Sequence, residues 1–234
     1  MLSSFDITKK WPPTNPKAIQ LYSLPTPNGV KVSVMLEETG LDYEAHRVDF
    51  STDDQMSPEF LSLNPNNKIP AIIDPDGPSG EPLGLWETGA ILIYLAEKTG
   101  RLLPQDPAAR YETIQWVMWQ MGGIGPMFGQ FGFFYRMGGK DIEDKRPLER
   151  YTNESKRLLG VLDDRLDGRN FIMGEDYTIA DVAVWPWVTV LDGFYDAAAH
   201  LDLAAYPHVA RWLAAAKARP ASEAGQNVPP MSEA

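Results

Sequence analysis

"NPNNKIPAIID", residues 64–74, decides how the chain is read. From Lys68 to Asp74 the run is apolar enough for a strand, and turn-forming asparagines precede it, yet Pro70 stands inside it. Proline offers no N–H to a ladder and is kept out of sheet interiors. A cis bond between Ile69 and Pro70 reconciles the two, because it turns the backbone ahead of the strand and leaves the amide groups of Ile69 facing a ligand. A second constrained backbone lies upstream. In "SLPTPNGVKV", residues 23–32, Pro25 and Pro27 hold the single hydroxyl of Thr26 between them, and Asn28 follows. Taken by itself, that turn is an ordinary strand-to-helix connection with Asn28 as N-cap.

Around these two points the pattern is β-α-β, a bridging loop, then β-β-α. "AIQLYSL" (18–24), "YEAHRVDF" (43–50), "KIPAIID" (68–74) and "LGLWE" (83–87) read as strands. Val30, Val32, Val34 and Leu36 alternate as a strand would, but the run continues through "MLEETG" to helical length and stops at Gly40, so it is assigned to helix. "TGAILIYLAEKTG" closes the unit as a helix from Thr88 to Gly100. This defines an α/β domain over 18–102, preceded by an extension, 1–17, that is loose or draped over the fold. After Pro104 and Pro107, where a linker is expected, strand signals vanish. An all-helical domain follows over 107–221, with helices at 107–121, a glycine-interrupted stretch through 135, 147–167, 178–189 and 207–218. Residues 222–234 read as a frayed tail.

Composition narrows the chemistry. The 234 residues are 44% hydrophobic, enough for real cores, and the net charge of -11 argues against nonspecific nucleic-acid binding, which lysines and arginines drive. No apolar run reaches bilayer length and the first 17 residues lack the apolar core of a secretion signal, so a cytoplasmic protein without membrane or nucleic-acid partners is expected. With no cysteine, the sequence excludes disulfides, thiolate metal sites and any nucleophilic sulfur of its own. Thiol chemistry has to come from a ligand. His46, His200 and His208 are dispersed without zinc-helix spacing, so no metal site is expected.

Three landmarks together resemble the glutathione transferase family over about residues 18–221: the Pro70 strand, the Glu87-Thr88 pair in "LWETGAI", and Thr178 with Asp181 at capping-box spacing in "YTIADVAVWPW". More narrowly, "TPNGVKV", "NPNNKIPAIID" and "GGIGPMFGQ" look like the bacterial nu-class members and their fungal nitrogen-regulatory relatives. The resemblance implies a thioredoxin-like N-terminal domain, an all-helical C-terminal domain and a twofold homodimer.

It also implies glutathione as co-substrate and distributes that tripeptide over named residues. Glu87 would pair with the γ-glutamyl amine, and Thr88 at a helix N-terminus would take its carboxylate. The Ile69 backbone ahead of Pro70 would pair with the cysteinyl unit as an added strand does, and Lys68 and Gln55 would hold the glycyl end. Glu87-Thr88 also reads as a plain helix start, and Lys68 and Gln55 as solvated side chains. A thiol of pKa about 8.5 must fall by about 2 units, roughly 2.7 kcal/mol, to be mostly thiolate at neutral pH. Thr26 is too weak an acid to serve as a base, but it can donate to that sulfur, as can Asn28, and the helix dipole adds to both. Tyr22 and Ser23 compete by residue type; Tyr22 reads as core, and the "TPN" pattern favours Thr26.

On the helical side, Arg150 resembles a residue that neutralises a second glutathione, and reads equally as a surface ion pair. Phe128 and Tyr135 are expected to face the open half of the active cleft, while Trp116, Trp185 and Trp187 read as core. The activity implied is glutathione-dependent reduction of small disulfides, with weak transferase or peroxidase activity. Two alternatives stand beside it: conjugation of hydrophobic electrophiles, and a glutathione-binding regulatory module without turnover.

Overall fold

A computed structural model describes residues 2–231; Met1 and the last three residues of the expected tail lie outside the described residues. The chain forms two units, one running to Thr99 and resumed from Pro220, the other spanning Gly100–Arg219.

The first unit is built on a four-stranded sheet of β1 (Ile19–Ser23), β2 (Tyr43–Arg47), β3 (Ala71–Asp74) and β4 (Leu83–Trp86) in the order β2-β1-β3-β4. β1 and β2 are parallel, so the chain between them must cross over, and α1 (Pro27–Thr39) is that crossover. β3 and β4 are antiparallel neighbours. Between these strands lie α2 (Pro58–Leu63) and, after β4, α3 (Thr88–Thr99). α1 begins at Thr26 as N-cap with Pro27 in its first turn, and ends at Gly40, whose φ of 70° gives the left-handed stop. Asn28 is therefore inside the helix and is not its N-cap. The valine alternation that imitates a strand also has a cause: every residue from Gly29 to Leu36 is buried, odd and even positions alike, and α1 packs on α3 and on a further helix.

That further helix corrects the expected frayed tail. α10 (Pro220–Gly225) lies against α1, with Ser33 Oγ donating to the Gly225 carbonyl at 2.7 Å. Gly225 is needed there, because a Cβ would stand 2.8 Å from the Val34 amide nitrogen. The extension is draped rather than loose: short 3₁₀ turns at Leu2–Ser4 and Asp6–Lys9 bury Leu2 and Ile7 in the same core as Tyr22, Phe60 and Ile73. Trp11 anchors it by donating its indole N–H to the Arg47 carbonyl at 2.9 Å and packing edge-on against Tyr22 and Phe60.

The second unit is helical: α4 (Pro107–Trp119), α5 (Gly125–Tyr135), α6 (Arg146–Leu166), α7 (Ile179–Asp192), α8 (Ala198–Leu201) and α9 (Pro207–Lys217). The short α8 has no counterpart in the sequence reading. Between α4 and α5 the chain does not break at its glycines but makes one wide turn, Gln120–Ile124, closed by Gly125 N–H to the Gln120 carbonyl. Thr178 and Asp181 form the expected capping box of α7. The fully buried Asp181 carboxylate accepts from the backbone N–H groups of Thr178 and Ile172 (both 2.9 Å) and from Trp212 Nε1 (2.8 Å), tying three segments together. Trp185 is core, whereas Trp116 and Trp187 are half-buried, with the Arg165 guanidinium 5.1 Å above the Trp116 ring.

Candidate active site

Register gathers the candidate residues. Ala71 of β3 pairs with Tyr22 of β1 on one side and with Trp86 of β4 on the other, and Ser23 pairs with Arg47 of β2. The end of β1 that leads to Thr26, the start of β3 that follows Ile69-Pro70, the end of β4 that leads to Glu87-Thr88, and the end of β2 that leads toward Gln55 therefore share one end of the sheet. Open α/β sheets place ligands outside the carboxyl ends of their parallel strands, and β1 and β2 are the parallel pair here.

At the α1 corner, Thr26 is half-buried and extended (φ -81°, ψ 166°), and its side-chain oxygen accepts the Gly29 N–H over a long 3.4 Å. That contact uses an oxygen lone pair and leaves the hydroxyl proton for donation. Asn28, also half-buried, stands in the first turn, where helix amides and dipole favour negative charge. Gly29 allows the corner to close: a Cβ there would lie 1.8 Å from the Leu24 carbonyl oxygen.

The Ile69-Pro70 bond is cis, both residues are buried, and both lie ahead of the first paired residue of β3. Asn64 steadies this turn by donating Nδ2 to the Lys68 carbonyl at 2.6 Å, while the Lys68 side chain is exposed. Gln55 is half-buried; its Nε2 is 3.5 Å from Asp53 Oδ1, and its Oε1 is buried with no hydrogen-bond partner among the described residues. At the α3 corner Glu87 is exposed and takes a left-handed φ of 72°, a conformation costing a side-chain-bearing residue about 1–2 kcal/mol. It turns the chain from β4 directly into α3, and Thr88, buried, opens that helix.

The competitors fall away on burial. Tyr22 is fully buried and stacked on His46 at 4.8 Å, its hydroxyl meets no partner among the described residues, and burial pushes the phenol's pKa up, keeping it protonated. Ser23 is fully buried and donates to the Leu24 carbonyl at 3.2 Å.

In the helical unit, Phe128 is fully buried in the core, which corrects the expectation that it faces an open cleft. It stands on the inner face of α5, where apolar spacing alone did not separate core from lining. Tyr135 is half-buried, stacked on Phe131 (5.0 Å) and close to His200 (4.7 Å). Arg150 is exposed on α6, one turn before Glu154, whose carboxyl it helps hold below its ordinary pKa behind the stronger Arg157 contact and against a smaller opposing effect of burial.

One residue at this end of the sheet escaped the sequence reading. Lys31 in α1 is 1% exposed, and its Nζ donates to Thr88 Oγ1 at 3.3 Å, joining the α1 and α3 corners. Its sequence signal is a lone lysine set in "GVKVSVML", with apolar residues on both sides.

A thioredoxin-like sheet whose strand ends converge on a cis-proline turn, followed by an all-helical unit, defines the class. Residues 17–97 match the glutathione S-transferase N-terminal domain and residues 147–215 the C-terminal domain, and the chain belongs to the glutathione S-transferase family. Among its relatives, the disulfide-bond oxidoreductase YghU of Escherichia coli is 46% identical over 92% of this chain and 76% of its own length. A glutathione transferase of Burkholderia graminis, solved with two glutathione molecules bound per subunit, is 65% identical, with a TM-score of 0.97 over 99% of this chain and 97% of that one. One from Pseudomonas putida, solved with one glutathione disulfide per subunit, is 61% identical, with a TM-score of 0.96 over 97% and 99% of the two chains.

Proposed function

We propose that the protein is a glutathione-dependent disulfide-bond oxidoreductase in which Thr26 and Asn28 stabilise the thiolate of bound glutathione. The observation that carries this reading is the pair of relatives above 60% identity, one holding two glutathione molecules per subunit and the other a glutathione disulfide. Those are the reactant and product states of one exchange. In a chain without cysteine both sulfurs must be borrowed.

The thiolate of one glutathione attacks a substrate disulfide, forming a mixed disulfide and expelling a substrate thiolate that takes up a proton. A second glutathione thiolate then attacks the glutathione-side sulfur, giving glutathione disulfide and the second substrate thiol. Two glutathione molecules are oxidised for each disulfide reduced. In this reading the Glu87 carboxylate meets the γ-glutamyl amine, Thr88 and the α3 amides meet the adjoining carboxylate, the Ile69 backbone meets the cysteinyl unit, and Gln55 and Lys68 meet the glycyl end. Tyr135 and Arg150 belong to the side of the second glutathione or substrate. In this reading the protein works in the cytoplasm as the twofold homodimer that the family resemblance implies.

The test is turnover of 2-hydroxyethyl disulfide with glutathione, set beside conjugation of a chloronitrobenzene. Robust disulfide reduction with little conjugation is expected. The reverse ratio assigns the protein to conjugation, and retention on immobilised glutathione with neither activity assigns it to binding alone.

A further inference from the structure

Among the described residues Lys31 is the only lysine or arginine removed from water to this degree. Placing an ammonium in a helix–helix seam is costly before any partner is counted, and well-packed apolar residues often replace buried ion pairs without loss of stability. A tie between α1 and α3 does not need a charge. Burial pushes the Lys31 ammonium well below its ordinary pKa, and the exposed Glu87 carboxylate opposes that shift. An anion brought to the far side of Thr88 acts in the same sense as Glu87. Thr88 is the first residue of a twelve-residue helix, whose amides and dipole favour a carboxylate at that place.

We propose that Lys31 is a positioning residue for the ligand's γ-glutamyl α-carboxylate: acting through the Thr88 hydroxyl, it backs the α3 N-terminus with a buried positive charge and makes the site select for that carboxylate. The inference rests on the reading of the ligand as glutathione. An ammonium has donors and no acceptor, so in the 3.3 Å contact the Thr88 oxygen is the acceptor and its own proton is turned away from Lys31. A carboxylate taking that proton is linked to the ammonium through one oxygen atom. A ligand without the carboxylate cannot make that link.

The experiment compares the dissociation constants of glutathione and of γ-aminobutyryl-cysteinyl-glycine, which lacks only that carboxylate, for the unmutated protein, Lys31→Met and Lys31→Arg. The unmutated protein should prefer glutathione by about tenfold or more, about 1.4 kcal/mol. Lys31→Met should bind the analogue as before and lose most of the preference, and Lys31→Arg should recover part of it. A Lys31→Met protein that keeps the full preference, or weakens both ligands equally, overturns the proposal and leaves Lys31 a structural tie. An unmutated protein that binds both ligands equally also overturns it, while leaving glutathione as the ligand. Failure to bind glutathione at all refutes the functional reading instead. Should Lys31→Met not fold, the Lys31 Nζ resonance of the unmutated protein answers the question: it should shift with glutathione and not with the analogue, and equal shifts overturn the proposal.

Discussion

Replacing Thr26 with alanine removes one of the two side-chain donors assigned to the glutathione sulfur, and the expected size of the effect decides where to look for it. If Thr26 and Asn28 share a lowering of about 2 units equally, the bound thiol moves from a pKa of about 6.5 to about 7.5, a change of about 1.4 kcal/mol. At pH 7 the ionised fraction then falls about threefold, but a more basic thiolate is intrinsically about threefold more nucleophilic, so the two effects nearly cancel. At pH 5.5 the ionised fraction falls about ninefold and the net rate about threefold. The ultraviolet thiolate titration of the bound tripeptide is therefore the primary assay, with disulfide-exchange rates at the two pH values as its check. The variant also loses the N-cap of α1, but over 3.4 Å that bond belongs at the weak end of the capping range, about 0.5 kcal/mol. Thr26→Ser keeps both the cap and the donor and should behave as the unmutated protein does. A titration midpoint that stays in place in Thr26→Ala, with the site still occupied, refutes the thiolate assignment.

Four further outcomes follow from the same geometry. Gly29→Ala should abolish glutathione binding and lower the melting temperature sharply, since its Cβ would collide with the Leu24 carbonyl at 1.8 Å; a well-folded variant with normal affinity contradicts the closed corner. Phe128→Ala should cost about 3–5 kcal/mol in denaturant unfolding, because the ring is fully buried, whereas Tyr135→Ala should cost less and act on the Michaelis constant for the disulfide. Asp181→Ala should be among the most destabilising single changes, about 3 kcal/mol or more, as it strands three buried N–H donors; a small shift in the urea midpoint contradicts that account. His46 gives a pH signature. Gln20 Nε2 donates to the Asn15 and Ala18 carbonyls, which turns its Oε1 toward His46 Nε2 at 2.7 Å and puts the imidazole proton on that nitrogen. Burial lowers the His46 pKa, with Glu44 opposing, so below about 6.5 the unfolded chain binds the extra proton first and stability falls with acid. His46→Gln should flatten that part of the melting-temperature curve, and an unchanged slope between pH 6.5 and 5 counts against it.

The strand and helix pattern was legible because each signal was local: Gly40 stops α1, although its start was read two residues late at Asn28, Thr178 and Asp181 bracket the start of α7, and Pro70 flags a turn that a cis bond reconciles with β3. What sequence did not show depends on neighbours distant in the chain. Nothing in "AARYETIQWVMWQMGG" foretells that the glycines continue into a wide turn instead of a break, and nothing around Pro220 announces that Gly225 will meet Ser33. Phe128 and Tyr135 lie seven residues apart on one helix, yet one is core and the other is half-buried beside His200, a difference set by which elements cover each turn. Lys31 was passed over for the opposite reason. Charged residues are read as surface by default, and the burial of this one and its contact with Thr88 emerge only in the fold.

The return of α10 to the first unit has a consequence for biosynthesis. Ribosomes add about 5–20 residues per second, so the 100–219 segment takes on the order of ten seconds to emerge before the piece that covers Ser33 and Val34 even exists. During that interval the nascent sheet carries α1 with one flank wet. The earliest-made half of the protein is thus the last to be finished.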